Sequence, residues 1–439
     1  MKVHFIGIGG IGVSALSKYY LKKKNKVSGS DLVSSEITAT LKKQGAEIFI
    51  GKHKAKNLPQ NTDLVVYSPA VTADNPELKE AKSQNIDIKS YPEALGNLTK
   101  EYFTIAVSGT HGKSTTVGMI SSVLIKAGLD PTVIIGTKIK SFGDSTPHQK
   151  NGGGSNCRVG KSKYLIIEAD EWKASFLNYW PKIIVLTNIE KEHLDFYKNL
   201  NHILKTYKEY INHLPKNGIL IANRDDKNVY RLSSDAVAKK IFYSIKQKEA
   251  KKAKKVLKVP GTHNVSNGLA ALKVARVLGV SEKVGLQGLA SYEGSWRRFE
   301  VIKEKPYILI SDYGHHPTEI KATLSAVRQQ YPQSKIWIIF QPHQYQRTFY
   351  LFKNFISSFD LADAVVLTKI YDVVGREKSK ISKKVSSKKL SSFIKKRGKE
   401  VYCVENFLKI PKFLKSKIKP KEVVLVMGAG DIYKLVDYF

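Results

Sequence analysis

The chain of 439 residues has little cysteine, comparatively few acidic residues and no long apolar runs. Its two cysteines, Cys157 and Cys403, provide neither a disulfide framework nor a cysteine metal cluster, which favours a reducing compartment. No run approaches the roughly 18 uninterrupted apolar residues of a membrane-spanning helix. The first residues enter an apolar strand instead of a signal peptide. We therefore expect a cytoplasmic protein without a membrane span.

The shortage of acidic residues leaves a net charge of +35, from 73 basic and 38 acidic side chains. Such an excess suggests nucleic-acid binding, but the lysines concentrate in two stretches, residues 246 to 258 and 378 to 399. These stretches are typical of a surface connection and a solvated helix face, and they contain few aromatic residues for base stacking. Nucleic-acid binding is therefore not expected as the main role, and general surface basicity is the simpler interpretation.

The order of apolar strands and helical stretches indicates three α/β parts, and 42% apolar residues suffice for their cores. In the first part, short strands such as Glu47 to Ile50 and Leu64 to Tyr67 alternate with helices, which predicts a parallel sheet. Buried strands ending in polar residues continue through the other parts. We place the domains at residues 1–99, 100–297 and 298–439.

A phosphate-binding loop is the most informative motif of the chain. An apolar strand beginning near Thr104 enters a glycine turn that brings a lysine and a hydroxyl residue to the start of a helix. Backbone N–H groups of such a loop surround phosphate oxygens, the lysine reaches the β- and γ-phosphates, and the hydroxyl binds Mg²⁺. The general pattern has a further glycine where Val107 stands. The predicted nucleotide-binding residues are Gly109, Thr110, His111, Gly112, Lys113, Ser114 and Thr115.

A second glycine turn, Gly7 to Gly12, follows the first strand and precedes a helix, and Asp31 ends the next strand. This is the dinucleotide fingerprint in its usual context. A single match accepts any diphosphate, so we prefer a nucleotide diphosphate other than NAD(P), and NAD(P) itself and a turn that only packs tightly are equal alternatives.

Metal ligands are predicted after the next two strands. Glu168 and Glu171 stand where a buried strand ends, and a carboxylate there completes the Mg²⁺ shell begun by Ser114, since Mg²⁺ prefers hard oxygen ligands. His193 follows the next strand. Its residue type and position alone fit a second-metal ligand, a base or a helix cap equally well.

The motifs of this chain, taken together and in order, resemble those of the Mur ligases over essentially its whole length. The matching segments are His4 to Gly12, Tyr67 to Val71, Gly109 to Ser114, Glu168 to Glu171, Asn188 to His193, His263 to Asn267, Arg297 to Phe299, Asp312 to Glu319 and Gln341 to His343. The resemblance implies a Rossmann-like UDP-binding domain, a central P-loop ATPase-like domain and a Rossmann-like C-terminal domain. It is strongest to the members that add L-alanine to UDP-N-acetylmuramate.

The resemblance also implies roles for individual residues. Lys113 would contact the ATP phosphates, Ser114 and Glu168 one Mg²⁺, and Glu168 and His193 a second, with Lys113, Glu168 and His193 as the catalytic set. On the nucleotide side of the cleft it adds Asn264, Asn267 and Arg298. For the UDP-sugar it implies Gly9, Gly10, Ile11, Gly12, Asp31 and Ser68. For the amino acid it implies Tyr313, His315, His343 and Arg347.

The implied reaction is an ATP-dependent ligation of L-alanine to UDP-N-acetylmuramate through an acyl phosphate, in peptidoglycan precursor synthesis. Two alternatives remain: a recycling ligase that adds a ready-made tripeptide to the same sugar nucleotide, and a non-catalytic, basic nucleotide-binding protein. One departure concerns Gln344, which stands where the family usually has an arginine, so a charge-assisted bidentate contact is missing. We expect a monomer or a weak homodimer.

Overall fold

The computed structural model describes residues 1–143, 153–372 and 379–439. Lys378, the first residue of the second lysine-rich stretch, lies outside the described residues. The chain divides into two compact units. The first unit comprises Met1–Ile189, Leu204–Gln247 and Gly268–Ser291, and the second comprises Glu190–Ile203, Lys248–Asn267 and Tyr292–Phe439.

A five-stranded parallel sheet with the order β3-β2-β1-β4-β5 opens the first unit. Its strands are β1 (Lys2–Ile6), β2 (Lys26–Asp31), β3 (Glu47–Ile50), β4 (Leu64–Tyr67) and β5 (Asp87–Ser90). Its helices are α1 (Ile11–Lys22), α2 (Glu36–Lys43), α3 (Pro76–Ser83) and α4 (Tyr91–Glu101). The predicted bounds of β3 and β4 are confirmed. β5 was not predicted, because Ile88 is its only apolar residue.

A seven-stranded sheet with the order β12-β11-β10-β6-β9-β7-β8 follows, and only β8 runs antiparallel to its neighbour. Its strands are β6 (Phe103–Ser108), β7 (Thr132–Ile139), β8 (Ser155–Arg158), β9 (Tyr164–Glu168), β10 (Ile183–Leu186), β11 (Ile219–Asn223) and β12 (Lys239–Tyr243). The helices in this part of the chain are α5 (Lys113–Lys126), α6 (Leu200–Ile211), α7 (Lys227–Ser234), α8 (Lys248–Val256), α9 (Thr262–Val277) and α10 (Glu282–Ala290), and α8 belongs to the second unit. Much of the first lysine-rich stretch therefore forms a helix, α8, which buries only Ala250 and Ala253.

The third sheet lies in the second unit and has the order β13-β14-β18-β15-β16-β17, with only β13 antiparallel. Its strands are β13 (Glu300–Lys303), β14 (Ile308–Asp312), β15 (Ile336–Phe340), β16 (Ala364–Leu367), β17 (Glu400–Cys403) and β18 (Val423–Met427). Its helices are α11 (Pro317–Gln330), α12 (Tyr345–Tyr350), α13 (Phe352–Ile356), α14 (Ser379–Ser382), α15 (Ser387–Lys395) and α16 (Ile410–Leu414). All five residues of β15 and of β18 are buried, because parallel strands covered on both faces are apolar throughout.

The predicted α/β architecture with three largely parallel sheets is confirmed. Among the described residues, no helix combines the length and apolar character needed to cross a bilayer. Within the first unit, the first two sheets meet through α1. The Asn156 side chain of β8 donates to the Ile11 carbonyl and to the Ser14 hydroxyl, at 2.7 and 2.9 Å. The glycine turn ahead of α1 is thereby fixed against the second sheet.

Candidate active site

The phosphate-binding loop connects β6 to α5. Gly109 and Gly112 have φ values of +136° and +82°, which favour glycine, and Gly112 is the N-cap of the helix. Asn188, just beyond β10, fixes the loop: its carbonyl accepts from Thr110 N–H and its side-chain oxygen from His111 N–H, both at 2.8 Å. Its amide also donates to the His111 carbonyl. The loop is therefore held open in a phosphate-binding shape by a residue 77 positions along the chain.

Lys113, the first residue of α5, lies among acidic groups. Its ammonium donates to Glu171 Oε2 at 2.8 Å and to the Gly109 carbonyl at 2.7 Å, and Asp170 lies 3.9 Å away. Burial alone would lower the pKa of Lys113, but the carboxylates of Glu171, Asp170 and Glu168 outweigh burial and raise the pKa. Lys113 is therefore a fixed positive charge at the loop.

Ser114 and Glu168 form the predicted cation-binding pair. The Ser114 hydroxyl lies 2.9 Å from both carboxylate oxygens of Glu168, and the Gly136 N–H donates to Oε2 at 2.9 Å. Ser114 is buried, as is the adjacent Thr115. A hydroxyl and a carboxylate facing the phosphate loop are hard oxygen ligands of the kind that Mg²⁺ prefers, so the residues fit the ion.

The N-terminal glycine turn brings together the predicted UDP-sugar residues. The Asp31 carboxylate accepts from Gly9 N–H at 2.8 Å, and a Cβ at Gly9 would lie 2.8 Å from the same carboxylate oxygen. Gly12 is equally confined, by the Tyr91 ring at 3.0 Å. Ser68 follows β4, with its Cβ 3.0 Å from where a Cβ of Gly7 would stand. Gly10 and Ile11 begin α1, whose first N–H groups have no partner within the helix.

In the second unit, the residues predicted for the amino acid form one contiguous cluster. The Tyr313 ring meets His315 edge-on, with 5.5 Å between the ring centroids, and His315 lies 5.7 Å from His343. The Arg347 guanidinium contacts His343 Nδ1 at 3.0 Å. Arg298 lies 4.8 Å above the Tyr313 ring. Arg298 was predicted on the nucleotide side, and within its own unit it borders the amino-acid cluster.

The same cluster contains a buried ion pair between Arg347 and Glu192. Arg347 donates from Nε and from Nη2 to a single carboxylate oxygen of Glu192, the Nε contact being 3.0 Å, and both side chains are 7% exposed. Burial would raise the pKa of Glu192, but the charges of Arg347 and the adjacent histidines hold it well below the usual range. Glu192 was absent from the predicted site, although its position directly before His193 was a signal for it.

His193 lies in the second unit, whereas Glu168 lies in the first. Its backbone has a φ of +52°, and its N–H donates to Glu192 Oε1 at 3.1 Å. The departure from the family pattern, Gln344, is 7% exposed, has a φ of +70° and lines one small cavity with Glu192, His193 and Arg347. Gln344 is therefore part of the Arg347 environment.

The nucleotide-side asparagines and His316 are buried, and His315 is half-buried. Asn264 donates to the Pro260 carbonyl at 2.6 Å, and Asn267 donates to the Asn264 side chain at 3.3 Å. Burial lowers the pKa of His315 to about 3, with Glu319 opposing the effect. His316 caps α11 and accepts from Thr318 N–H through Nδ1, so its neutral form carries the proton on Nε2.

Two further residues were not among the predicted site residues. Asp312 accepts from Phe299 N–H at 2.8 Å and from Gly314 N–H at 2.7 Å, which ties the backbone just after Tyr313 to the segment at Phe299. Lys138 of β7 is 7% exposed and pairs with Glu36 at 3.0 Å. Nothing in its local sequence distinguished Lys138 from the many surface lysines.

Comparison with known proteins identifies the relatives of this chain. Three family profiles match in sequence order: "Mur ligase family, catalytic domain" over residues 2–103, "Mur ligase middle domain" over 107–275 and "Mur ligase, glutamate ligase domain" over 297–430. The UDP-N-acetylmuramate–L-alanine ligase of Clostridium acetobutylicum is 42% identical over 463 aligned residues, covering 100% of this chain and 97% of the relative. The enzyme of the same name from Clostridium tetani is also 42% identical, with the same coverage.

Two solved structures superpose on this chain over nearly its whole length. UDP-N-acetylmuramate-alanine ligase from Thermotoga maritima superposes with a TM-score of 0.80 at 28% identity, covering 99% of this chain and 97% of that one. A murein peptide ligase from Psychrobacter arcticus superposes with a TM-score of 0.72 at 21% identity, covering 100% and 98%, and this similarity concerns the fold alone.

The contacts of Asn188 generate a prediction about nucleotide binding. Asn188→Ala should weaken ATP binding about tenfold, because losing the two side-chain hydrogen bonds to His111, each worth about 1 kcal/mol net, lets the loop relax. Calorimetric titration measures the dissociation constant. Asn228→Ala is the matched control, since that side chain donates to the Ile189 carbonyl, which lies outside the phosphate loop. Equal affinities for wild type and Asn188→Ala would contradict the role of Asn188.

Proposed function

The chain belongs to the Mur ligase family, and we propose that it is an ATP-dependent ligase joining L-alanine to the lactyl carboxylate of UDP-N-acetylmuramate. The observation that carries the proposal is the full-length match at 42% identity to enzymes named for this activity. The intact set of Lys113, Ser114 and Glu168 at the phosphate loop supports it.

In this proposal each of the three domains binds a different substrate. Residues 1–99 hold the UDP end of the sugar nucleotide on the Gly9 to Gly12 turn, residues 100–297 hold ATP, and residues 298–439 bring the amino acid. The Asp31 carboxylate, which accepts from the turn, supports this division, because an acid at this point of a dinucleotide-binding fold usually binds the ribose. The contact of Asn156 with α1 supports a sugar nucleotide held beside the ATP domain, within one compact unit.

The reaction would proceed in two steps. In the first, a lactyl carboxylate oxygen attacks the γ-phosphorus of ATP and the bond from that phosphorus to the bridging oxygen breaks. An acyl phosphate forms and ADP leaves. In the second, the neutral amine of alanine attacks the acyl carbon, inorganic phosphate leaves, and the amine loses a proton. Lys113 and the loop N–H groups offset negative charge as the anionic nucleophile meets the triphosphate.

Mg²⁺ forms part of this proposal. Ser114 and Glu168 would hold one ion, and Glu168 with His193 a second. When bound, Mg²⁺ neutralises part of the negative charge of the phosphates. The residues themselves contribute a hydroxyl and a carboxylate already directed at each other, with the Gly136 N–H fixing one carboxylate oxygen.

The amine needs a proton acceptor, and the histidines differ in how well they fit. His315 accepts a proton poorly near neutral pH, because burial lowers its pKa to about 3. His316 has only Nε2 for this role, since Nδ1 accepts from Thr318 N–H. His193 and His316 therefore stay as candidates for the base.

Arg347 is the proposed partner of the alanine carboxylate. The guanidinium of Arg347 is already hydrogen-bonded to the Glu192 carboxylate and to His343, so the orientation of the guanidinium is fixed before the substrate binds. Gln344, beside it, supplies a neutral donor where the family usually has an arginine. A single guanidinium would then make the charged contact with alanine.

The tripeptide-adding alternative is the runner-up. Its structural relative shares the fold at 21% identity, whereas the two Clostridium enzymes named for alanine are 42% identical. A purely nucleotide-binding role would leave the Lys113, Ser114 and Glu168 arrangement without a use. A cytoplasmic location and a monomeric or weakly dimeric state complete the proposal.

Phosphate release with ATP, UDP-N-acetylmuramate and each amino acid in turn tests the function. L-Alanine should give the highest kcat/KM, and omission of the sugar nucleotide should abolish release. A strong preference for L-alanyl-γ-D-glutamyl-meso-diaminopimelate would instead assign the recycling activity. ATP binding without any sugar-dependent phosphate release would refute catalysis altogether.

The metal assignment predicts two different Mg²⁺ dependences. Glu168→Gln should remain inactive at every Mg²⁺ concentration, because a neutral amide cannot replace the shared carboxylate. His193→Ala should recover partly with excess Mg²⁺ or Mn²⁺, since it would lose a ligand of one ion only. Initial rates across a metal titration measure both, with Lys126→Ala on the last turn of α5 as a surface control. Unchanged metal dependence in both variants would contradict the two-ion proposal.

A further inference from the structure

A buried carboxylate outside the reaction machinery lies beneath the N-terminal glycine turn. Glu77, on the first turn of α3, is 0% exposed. Its oxygen Oε2 accepts from His4 Nε2 at 3.0 Å and from the Ser30 hydroxyl at 2.6 Å. Its oxygen Oε1 accepts from Asn57 at 2.9 Å and lies 3.0 Å from His53 Nδ1. One carboxylate thus gathers donors from β1, β2 and the loop after β3.

This carboxylate is ionised. Burial alone would raise the pKa of Glu77, but hydrogen bonds from His4, Ser30 and Asn57 outweigh burial and lower the pKa to about 2. The N-terminus of α3 adds favourable potential, and Asn75 caps that helix by accepting from Glu77 N–H. A buried ion is a costly way to stabilise a fold, since an apolar core of similar volume often serves as well. We therefore looked for a group that this carboxylate positions.

The contacts of Ser30 show what is positioned. The Ser30 hydroxyl donates to Glu77, while its carbonyl accepts from Gly7 N–H at 2.8 Å and from Ile8 N–H at 3.0 Å. The next residue, Asp31, accepts from Gly9 N–H. The backbone of the turn is therefore held by two consecutive residues of β2, and Glu77 holds the first of them from below.

We propose that Glu77 is a positioning residue for the diphosphate-binding turn, acting through Ser30 on Gly7 and Ile8. This inference rests on the proposed binding of UDP-N-acetylmuramate at that turn. Glu77 itself touches neither the diphosphate nor the reacting atoms. By holding Gly7 and Ile8, whose N–H groups donate to the Ser30 carbonyl, it sets the position of the rest of the turn, and small displacements of a phosphate-binding backbone weaken a charged contact markedly.

Glu77→Gln tests the proposal because it keeps the volume and turns one acceptor into a donor. The new amide group faces the present donors, so the hydrogen bond to Ser30 or to Asn57 is lost or reversed in direction. The dissociation constant and the KM for UDP-N-acetylmuramate should rise about tenfold, while the KM values for ATP and L-alanine and the kcat at saturation change less than twofold. Ser30→Ala should give a smaller, equally selective rise. Should Glu77→Gln fail to fold, Ser30→Ala carries the test.

Leu78→Ala is the matched control. Leu78 is the next residue of α3 and is buried in the core with Ile6 and Val65, so its truncation destabilises the same domain without removing a Glu77 contact. Calorimetric titration with UDP-N-acetylmuramate, without ATP, gives the readout. Equal affinities in wild type and Glu77→Gln would overturn the inference, as would an equal loss in Leu78→Ala. Wild-type protein that binds ATP but no UDP-N-acetylmuramate would overturn the proposed function as well.

Discussion

Parallel strands end together at one edge of their sheet, and the chemistry of this protein depends on what stands at those ends. After β6 comes the phosphate loop, Glu168 ends β9 and Glu171 follows it, and after β10 comes Asn188, which fixes the loop. The first sheet repeats the arrangement, with the glycine turn after β1, Asp31 at the end of β2 and Ser68 after β4. Each group of residues converges because the strand order puts neighbouring ends side by side.

Each buried charge of these sites is balanced by neighbouring groups. Lys113 lies among acidic side chains, Arg347 is paired with Glu192, and Glu77 is surrounded by donors. Buried ions are tolerated only with such partners, and each pair fixes a side chain in advance of its ligand. Preorganised charge of this kind stabilises a phosphoryl-transfer transition state without reorganisation during the reaction.

Local motifs could be predicted from the sequence, and long-range partnerships could not. The glycine turns, Lys113, Ser114 and Glu168 were recognisable because their spacing along the chain is the signal. Glu192 and Arg347 are 155 residues apart, and His4 and Glu77 are 73 apart, so only the folded topology reveals those contacts. β5 escaped prediction because its sequence is mostly polar, and Lys138 because a lysine-rich composition hides one buried lysine among many.

The central claim is that the sugar carboxylate is activated by phosphoryl transfer at the Lys113 loop. Its most direct test uses UDP-N-acetylmuramate with both lactyl carboxylate oxygens replaced by ¹⁸O. In a complete reaction with ATP and L-alanine, mass spectrometry of the released phosphate should show one ¹⁸O atom per molecule, because the attacking carboxylate oxygen leaves with the phosphate. Ligation that yields phosphate without ¹⁸O would contradict an acyl-phosphate mechanism and the account of the site built on it.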